Sequence, residues 1–421
     1  MKSIKYMYVV YFPFLGLKKG LVSVFLLFTF HFGIGQQLEA YIHYAEQNNP
    51  QIQAFELKHT IATEKVNEVN TLSDAQVSFG YFVSEPETRT GAQRARLSVK
   101  QMLPWFGTIT ARENYANSLA ETQYLDIAVA KRKLALSISQ SYYTLYVIKA
   151  KQKVLQEQIN LLNSYEKLAL TSITVGKASA VSVLQLQIRQ NELQQRIDVL
   201  AQEYITERSL FNTILNKDQY ADIEVVQEMK VPEEDPILND DKLSLHPELL
   251  IYDSLYESVS KSELLNQKQK SPNIGFGLDY VAVSERTDIN VEDNGKDILM
   301  PMVSISIPVF NKKYNSKTKQ NKLKQEEIQL KKKERKNHLQ SLLTKAISSR
   351  NTARIKYKTQ EKNITQAKHA EQILTKNYET GTVDFNAILD IQELQLKFYM
   401  SRIMSIRDYF VQSTIINYLS Q

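Results

Sequence analysis

The segment Gly176-Lys177-Ala178-Ser179 has the ending of a phosphate-cradling loop, in which glycine amides and a lysine would hold nucleotide phosphates. That chemistry fails on its own spacing: the loop's first glycine would fall at Thr171, and the segment lies between two helical stretches. The six histidines include no pair at helical ligand spacing, so they suggest no metal centre. Neither H-E-x-x-H nor G-x-S-x-G occurs. The chain has no cysteine, which excludes thiolate catalysis, thiolate metal sites, disulfides and a cysteine-borne lipid anchor. The residues point away from an enzyme, and no cofactor is expected.

A basic run, K-K-Y-N-S-K-T-K-Q-N-K-L-K from Lys312 and then K-K-K-E-R-K from Lys331, would suit nucleic acid by charge alone. Glu326, Glu327 and Glu334 interrupt it, and 52 basic residues against 46 acidic ones leave a net charge of only +6. The run reads first as a solvated helix face and second as a contact for anionic lipid headgroups. Nucleic acid is not an expected partner, because the amino terminus carries the marks of export. Lysines 2, 5, 18 and 19 precede an apolar run from Leu21 to Phe32 and then the small residues Gly33 and Gly35, which predicts a signal peptide cleaved near Gly35 and Gln36. The alternative, a membrane anchor, needs an apolar helix of about 20 residues, and this run is shorter.

The elements that surround these motifs are unusual in length. Glycine (12) and proline (10) are scarce in 421 residues, and the mean hydropathy is negative at −0.35. Apolar residues come as narrow stripes, which favours coiled coil over compact globule. The chain is also duplicated. N-N-P-Q-I ahead of one helix is answered by H-P-E-L-L ahead of another, with proline at the first turn in both (Pro50 and Pro247). V-S-F-G-Y (Val77 to Tyr81) is answered by I-G-F-G-L (Ile274 to Leu278), L-P-W-F-G (Leu103 to Gly107) by I-P-V-F-N (Ile307 to Asn311), and the turn at Gly176 by the turn at Gly381.

Strand character appears twice in each copy, over Ala75 to Ser84 and Arg94 to Leu103, then Ile274 to Ser284 and Ile298 to Val309. Val303, Ile305 and Ile307 alternate with Ser304 and Ser306, a period of two that places one face in an apolar medium and the other in water. Such strands suit an outer-membrane wall, or else soluble hairpins packed on helices. After Gly107 and after Asn311 the spacing predicts helices of nearly 70 residues, on the order of 100 Å at about 1.5 Å per residue. Ile127, Leu134, Ile138, Tyr142 and Leu145, and later Tyr399, Ile403, Ile406 and Phe410, follow coiled-coil steps. Each long helix should break at Gly176 or Gly381, with Ser179 or Asp384 capping the helix that returns. The chain thus divides into an export segment (1–35), a first repeat (36–216), an acidic connector (217–246) and a second repeat (247–421). Each repeat holds a helix, a β-hairpin and a long helical hairpin.

Four strands cannot close a membrane barrel, and open edges in lipid leave backbone groups unsatisfied, so a spanning chain must oligomerise. The N-N-P helix start, the strand that ends in Pro104-Trp105-Phe106-Gly107, the G-x-x-S and G-x-x-D turns and the duplication together resemble the TolC-like outer-membrane efflux proteins across the mature chain. The resemblance implies a mainly α fold with a membrane β-barrel: a homotrimer with a twelve-stranded barrel and a periplasmic barrel of coiled-coil helices. It further implies an exit duct for efflux or type I secretion in the Gram-negative outer membrane, extending into the periplasm. Its partners would be outer-membrane lipid, a periplasmic adaptor and an inner-membrane transporter of RND, ABC or MFS type.

Within that resemblance, Val175, Gly176, Lys177, Gly381 and Thr382 correspond to the adaptor-docking tip. Positions six and nine after Gly381 are where the family has constricting aspartates. Here they are Ala387 and Asp390, so one acidic ring is retained, unless Asp390 is an ordinary acid favoured near a helix start. Pro104 and Pro308 mark strand-to-helix exits, and Trp105, Phe106, Phe310 and Tyr314 are read as interfacial aromatics or as side chains buried among helices. The alternative function is a periplasmic coiled-coil adaptor or structural protein.

Overall fold

The computed structural model describes residues 33–174, 180–236 and 240–420. Most of the export segment, and Val175, Gly176, Lys177 and Ser179 of the first turn, lie outside the described residues. The two proline-led helices start alike. Asn49 separates α1 (Gly33–Asn48) from α2 (Pro50–Val69), and its side chain accepts from the Gln51 amide at 2.9 Å. His246 does the same for α5 (Pro247–Gln269), where its Nδ1 accepts from the Glu248 amide at 3.3 Å. Proline at the first turn fits because no helical partner awaits its missing amide.

Each of these helices feeds strands. The first repeat gives β1 (Gln76–Tyr81), a short β2 (Glu87–Thr88) and β3 (Gly91–Leu103); the second gives β4 (Asn273–Val283) and β5 (Ile298–Ser306). They form one antiparallel sheet in the order β1-β3-β4-β5, with β2 paired to β3 off that path. The expected last strand ran to Val309, whereas β5 stops at Ser306. Its partner explains this: β4 begins at Asn273, immediately after Pro272, and the Asn273–Ser306 pair is the last in the ladder. Ile307 therefore has no ladder partner, since the next residue along is Pro272, which has no amide hydrogen to donate. The strand β2 was not foreseen, and with it β3 starts at Gly91 instead of Arg94.

The long helices follow the exits. α3 (Thr108–Thr174) has 67 residues and α6 (Lys312–Glu379) has 68; α4 (Ala180–Ile214) and α7 (Phe385–Ser420) return along them. Toward the tip of α3, Ile148, Leu155 and Leu162 are buried at intervals of seven, and Leu186, Leu193 and Leu200 answer them on α4. A seven-residue repeat keeps one seam between two helices only if they supercoil. Phe385, Ile388 and Leu396 of α7 join this cluster, so the two hairpins share a core. A second cluster joins Ile138, Tyr142 and Leu145 of α3 to Phe211 of α4 and to Ile403, Ile406 and Tyr409 of α7.

Lys217 to Pro236 has no regular element, and a short 3-10 turn (Asp240–Leu245) precedes α5. The segment is stitched to the helices. The Val226 and Met229 amides donate to the hydroxyls of Tyr142 and Tyr146, each at 3.2 Å, and Met229 is buried. Asp235 pairs with Arg350 at 3.3 Å and with Arg354, and accepts from Tyr409 at 2.6 Å. Near the start of α5, Glu248 accepts from Tyr418 at 2.5 Å and pairs with Arg335, tying α5 to α6 and α7. Burial would push the Glu248 carboxyl up, but the hydrogen bonds from Tyr418 and Arg335 hold it below its ordinary range.

Candidate functional site

The register of the sheet sorts its residues into two faces. Val77 stands opposite Val99, Val99 opposite Leu278, and Leu278 opposite Pro301. The next row on that face runs Phe79, Leu97, Tyr280, Leu299, and further rows hold Phe276 with Val303 and Ile274 with Ile305. These side chains are in the open: Phe79 is 72 % exposed, Val303 70 % and Ile305 63 %. Rows of large apolar residues across four strands make a patch far beyond the scattered apolar residues of an ordinary surface. The other face carries Ser78, Arg96, Ser98, Lys100, Asp279 and Ser304, and there Asp279 is fully buried in an ion pair with Arg96. Sequence reasoning missed this pair. Its signal was available, since Asp279 alternates with Leu278 and Tyr280 and so must point to the opposite face.

Both sheet edges, β1 and β5, lack a partner among the described residues. An edge of that length bordered by apolar residues is either covered by another chain or aggregates. No described helix is long and apolar enough to cross a membrane.

At the exits, Pro104 directly follows β3, and Gly107 turns the chain into α3 with φ +76°. The Thr108 amide donates to the Trp105 carbonyl at 3.0 Å, which closes the turn. Trp105 and Phe106 meet edge to face at 5.7 Å, and Phe106 is 78 % exposed. In the second repeat Pro308 sits two residues past the end of β5, and Phe310 is 88 % exposed. Tyr314 is half-buried, with its carbonyl accepting from Asn266 of α5 at 3.0 Å.

The far end of the second hairpin is a Schellman turn. The Thr382 amide donates to the Asn377 carbonyl at 2.9 Å and the Gly381 amide to that of Tyr378 at 2.9 Å, with Gly381 at φ +77°. Asp384 then caps α7, accepting from the Asn386 amide at 2.9 Å. Asp390 lies in the second turn of α7, exposed, on the side away from Ile388, Gln392 and Leu396, and makes no ion pair or hydrogen bond among the described residues. The turn holding Gly381 and Thr382 and the position of Asp390 are thus described, whereas Val175, Gly176 and Lys177 lie outside the described residues.

Above the turn, Glu371 of α6 gathers three helices. It accepts from Tyr165 of α3 at 2.7 Å, from Gln395 of α7 at 2.6 Å and from Gln392, which is also bonded to Gln158 of α3. Burial and the adjacent Glu371 carboxylate push the Tyr165 hydroxyl up to about 12. No local motif announces this cluster, because its members come from residues 21 to 234 positions apart.

No family model and no curated protein matches the chain. Solved structures do. CusC, described through conformational changes that accompany folding and transmembrane channel formation, superposes with a TM-score of 0.73 at 13% identity, over 91% of this chain and 92% of its own. The outer-membrane protein VceC of Vibrio cholerae gives 0.71 at 15% identity, over 91% and 96%, and the outer-membrane channel CmeC of Campylobacter jejuni 0.72 at 13%, over 91% and 85%. The chain has the mostly helical fold, with a small antiparallel sheet, of the TolC-like outer-membrane channels.

Proposed function

We propose that the protein is a passive exit duct in the Gram-negative outer membrane, the channel component of a tripartite efflux or type I secretion system. Substrates would be delivered by an inner-membrane transporter of RND, ABC or MFS type through a periplasmic adaptor. The observation that carries this reading is the exposed apolar face of an open-edged sheet joined directly to helices of 67 and 68 residues. At about 1.5 Å per residue those helices reach on the order of 100 Å, a periplasmic distance. An adaptor or structural coiled coil has no use for such a face.

The duct would be a homotrimer, with the strands β1, β3, β4 and β5 of three chains closing one twelve-stranded barrel against lipid. Apolar side chains left exposed on the helices support assembly: Leu184, Ile188 and Val199 follow one helical face of α4, and Leu323 and Leu330 stand seven apart on α6. Trp105, Phe106, Phe310 and Tyr314 would lie near the membrane boundary, with Pro104 and Pro308 at the exits. The hairpin ends, with Val175, Gly176, Lys177, Gly381 and Thr382, would receive the adaptor. Asp390 would form an acidic ring at the narrowest passage.

Conductance across a planar bilayer tests the proposal. The parent protein should give discrete channels that a trivalent cation blocks. Asp390→Ala should raise the conductance or abolish the block. Parent protein that forms no channel counts against the duct, and an Asp390→Ala channel identical to the parent places the constriction elsewhere.

A further inference from the structure

The two strand exits differ in charge. The first fourteen residues of α3 (108–121) carry Arg112, Glu113 and Glu121, whereas the first fourteen of α6 (312–325) carry six lysines and no acid. Lys312, Lys317, Lys319 and Lys322 are exposed and have no ion pair among the described residues, and Lys313 lies only over the ring of its neighbour Tyr314 at 5.9 Å. The carboxylate nearest this stretch from the packed helix, Glu263 of α5, is taken up by Thr318 at 2.8 Å and Asn321 at 2.8 Å. Lys268 and Lys270, where α5 ends before β4, add to the same level of the molecule.

Nothing among the described residues accounts for that charge. Cations near the start of a helix oppose its dipole, and like charges close together repel, so the lysines are a cost to the folded chain unless an anion outside it meets them. They also begin at a defined place. Ile307, Val309 and Phe310, all well exposed, continue the apolar face of β5 to within two residues of Lys312. At about 1.5 Å per residue, Lys312, Lys313 and Lys317 stand within roughly 8 Å of the helix start. That is comparable to the headgroup layer, which fills about 5 to 8 Å on each side of the hydrocarbon.

Building on the duct reading, we infer that the first turns of α6, together with the end of α5, form a basic collar that binds anionic phospholipid headgroups in the leaflet facing the periplasm. Apolar residues followed by an aromatic and a lysine cluster are what an interface between hydrocarbon and charged headgroups requires. The collar would fix the depth of the barrel mainly at the exit into α6, while Lys268 of α5 lies beside Gly107 at the exit into α3.

The test uses the full-length protein and a variant combining Lys312→Gln, Lys313→Gln, Lys317→Gln and Lys319→Gln, each reconstituted into phosphatidylcholine vesicles with or without phosphatidylglycerol and separated by flotation. The parent should partition into the anionic vesicles roughly tenfold better at low salt, as several interfacial lysines imply, and lose the advantage at high salt. The glutamine variant should enter neutral vesicles as the parent does and show no preference, while the corresponding arginine variant should keep it. A parent without lipid preference, or a glutamine variant that retains the preference, overturns the inference. So does competition by millimolar inorganic phosphate, which would reveal a site for free anions. A parent that enters neither vesicle overturns the duct itself, a different failure read in the neutral arm.

Discussion

The helical hairpins and the sheet are built from the same chain yet stand in opposite relations to it. In the hairpins, the apolar residues of the α3–α4 seam that recur every seven positions are buried: Leu155, Leu162, Leu186 and Leu193 are each at most 1 % exposed. In the sheet, the apolar residues that recur every two positions are exposed, from Phe79 on β1 to Val303 on β5. The hairpins find much of their core within one chain, and among the described residues the sheet finds neither a cover for its apolar face nor a partner for its edges. Under the proposed duct reading, the difference marks where the protein would need its surroundings: lipid and further copies around the strands, and mainly itself along the helices.

The largest effect should come from charging the exposed face. Phe79→Arg places a cation where the account puts hydrocarbon, at a cost of about 2 to 4 kcal/mol near the midplane. Ser78→Arg, one residue away on the other face, should be tolerated far better. The yield of folded oligomer in outer membranes measures both. Equal yields would remove the distinction between the two faces.

A smaller effect is expected at the hairpin end. Gly381 is at φ +77° with open space where a side chain would go, so a substitution there is strained by backbone conformation alone. Gly381→Val should cost about 1 to 2 kcal/mol locally, weaken cross-linking to the adaptor and leave the oligomer yield nearly unchanged. Loss of oligomer in this variant would mean that the two ends of the molecule are not independent.

The smallest effect concerns the cluster around Glu371. The folded-state pKa of Tyr165 is raised to about 12 from an ordinary 10.0, so the stability contributed by its hydrogen bond is complete below pH 10.0 and is lost as pH rises toward 12. Tyr165→Phe should lower stability at neutral pH by about 1 kcal/mol, and its melting temperature should fall less than the parent's across that alkaline window. Parallel curves would show that the tyrosine is not held in its protonated form by this contact.

Much of this arrangement was legible because it follows from short-range rules. Pro50 and Pro247 announced helix starts, Gly381 announced a left-handed turn, and the alternation of Val303 and Ile305 with Ser304 announced a two-faced strand. The ends of strands were less legible, since Ser306 is the last residue of β5 only because β4 starts at Asn273. Least legible were the long-range polar clusters. Asp235 reaches Arg354 across 119 residues and Arg96 reaches Asp279 across 183. Such pairs depend on how helices and strands are brought side by side, which no local pattern records.

The central claim is that the sheet is completed by other copies of the chain, β1 of one meeting β5 of the next. Within one chain these strands sit at opposite edges with β3 and β4 between them, roughly 14 Å apart at the usual strand spacing and beyond the reach of a short link. The absence of cysteine makes a clean experiment available. Ser78→Cys on β1 and Ser304→Cys on β5, combined in one chain and treated with a short bifunctional thiol reagent in outer membranes, should give covalent species that end at three chains on a denaturing gel. Protein that stays monomeric under conditions where both thiols react, or a ladder that continues past three, would contradict the closed trimer.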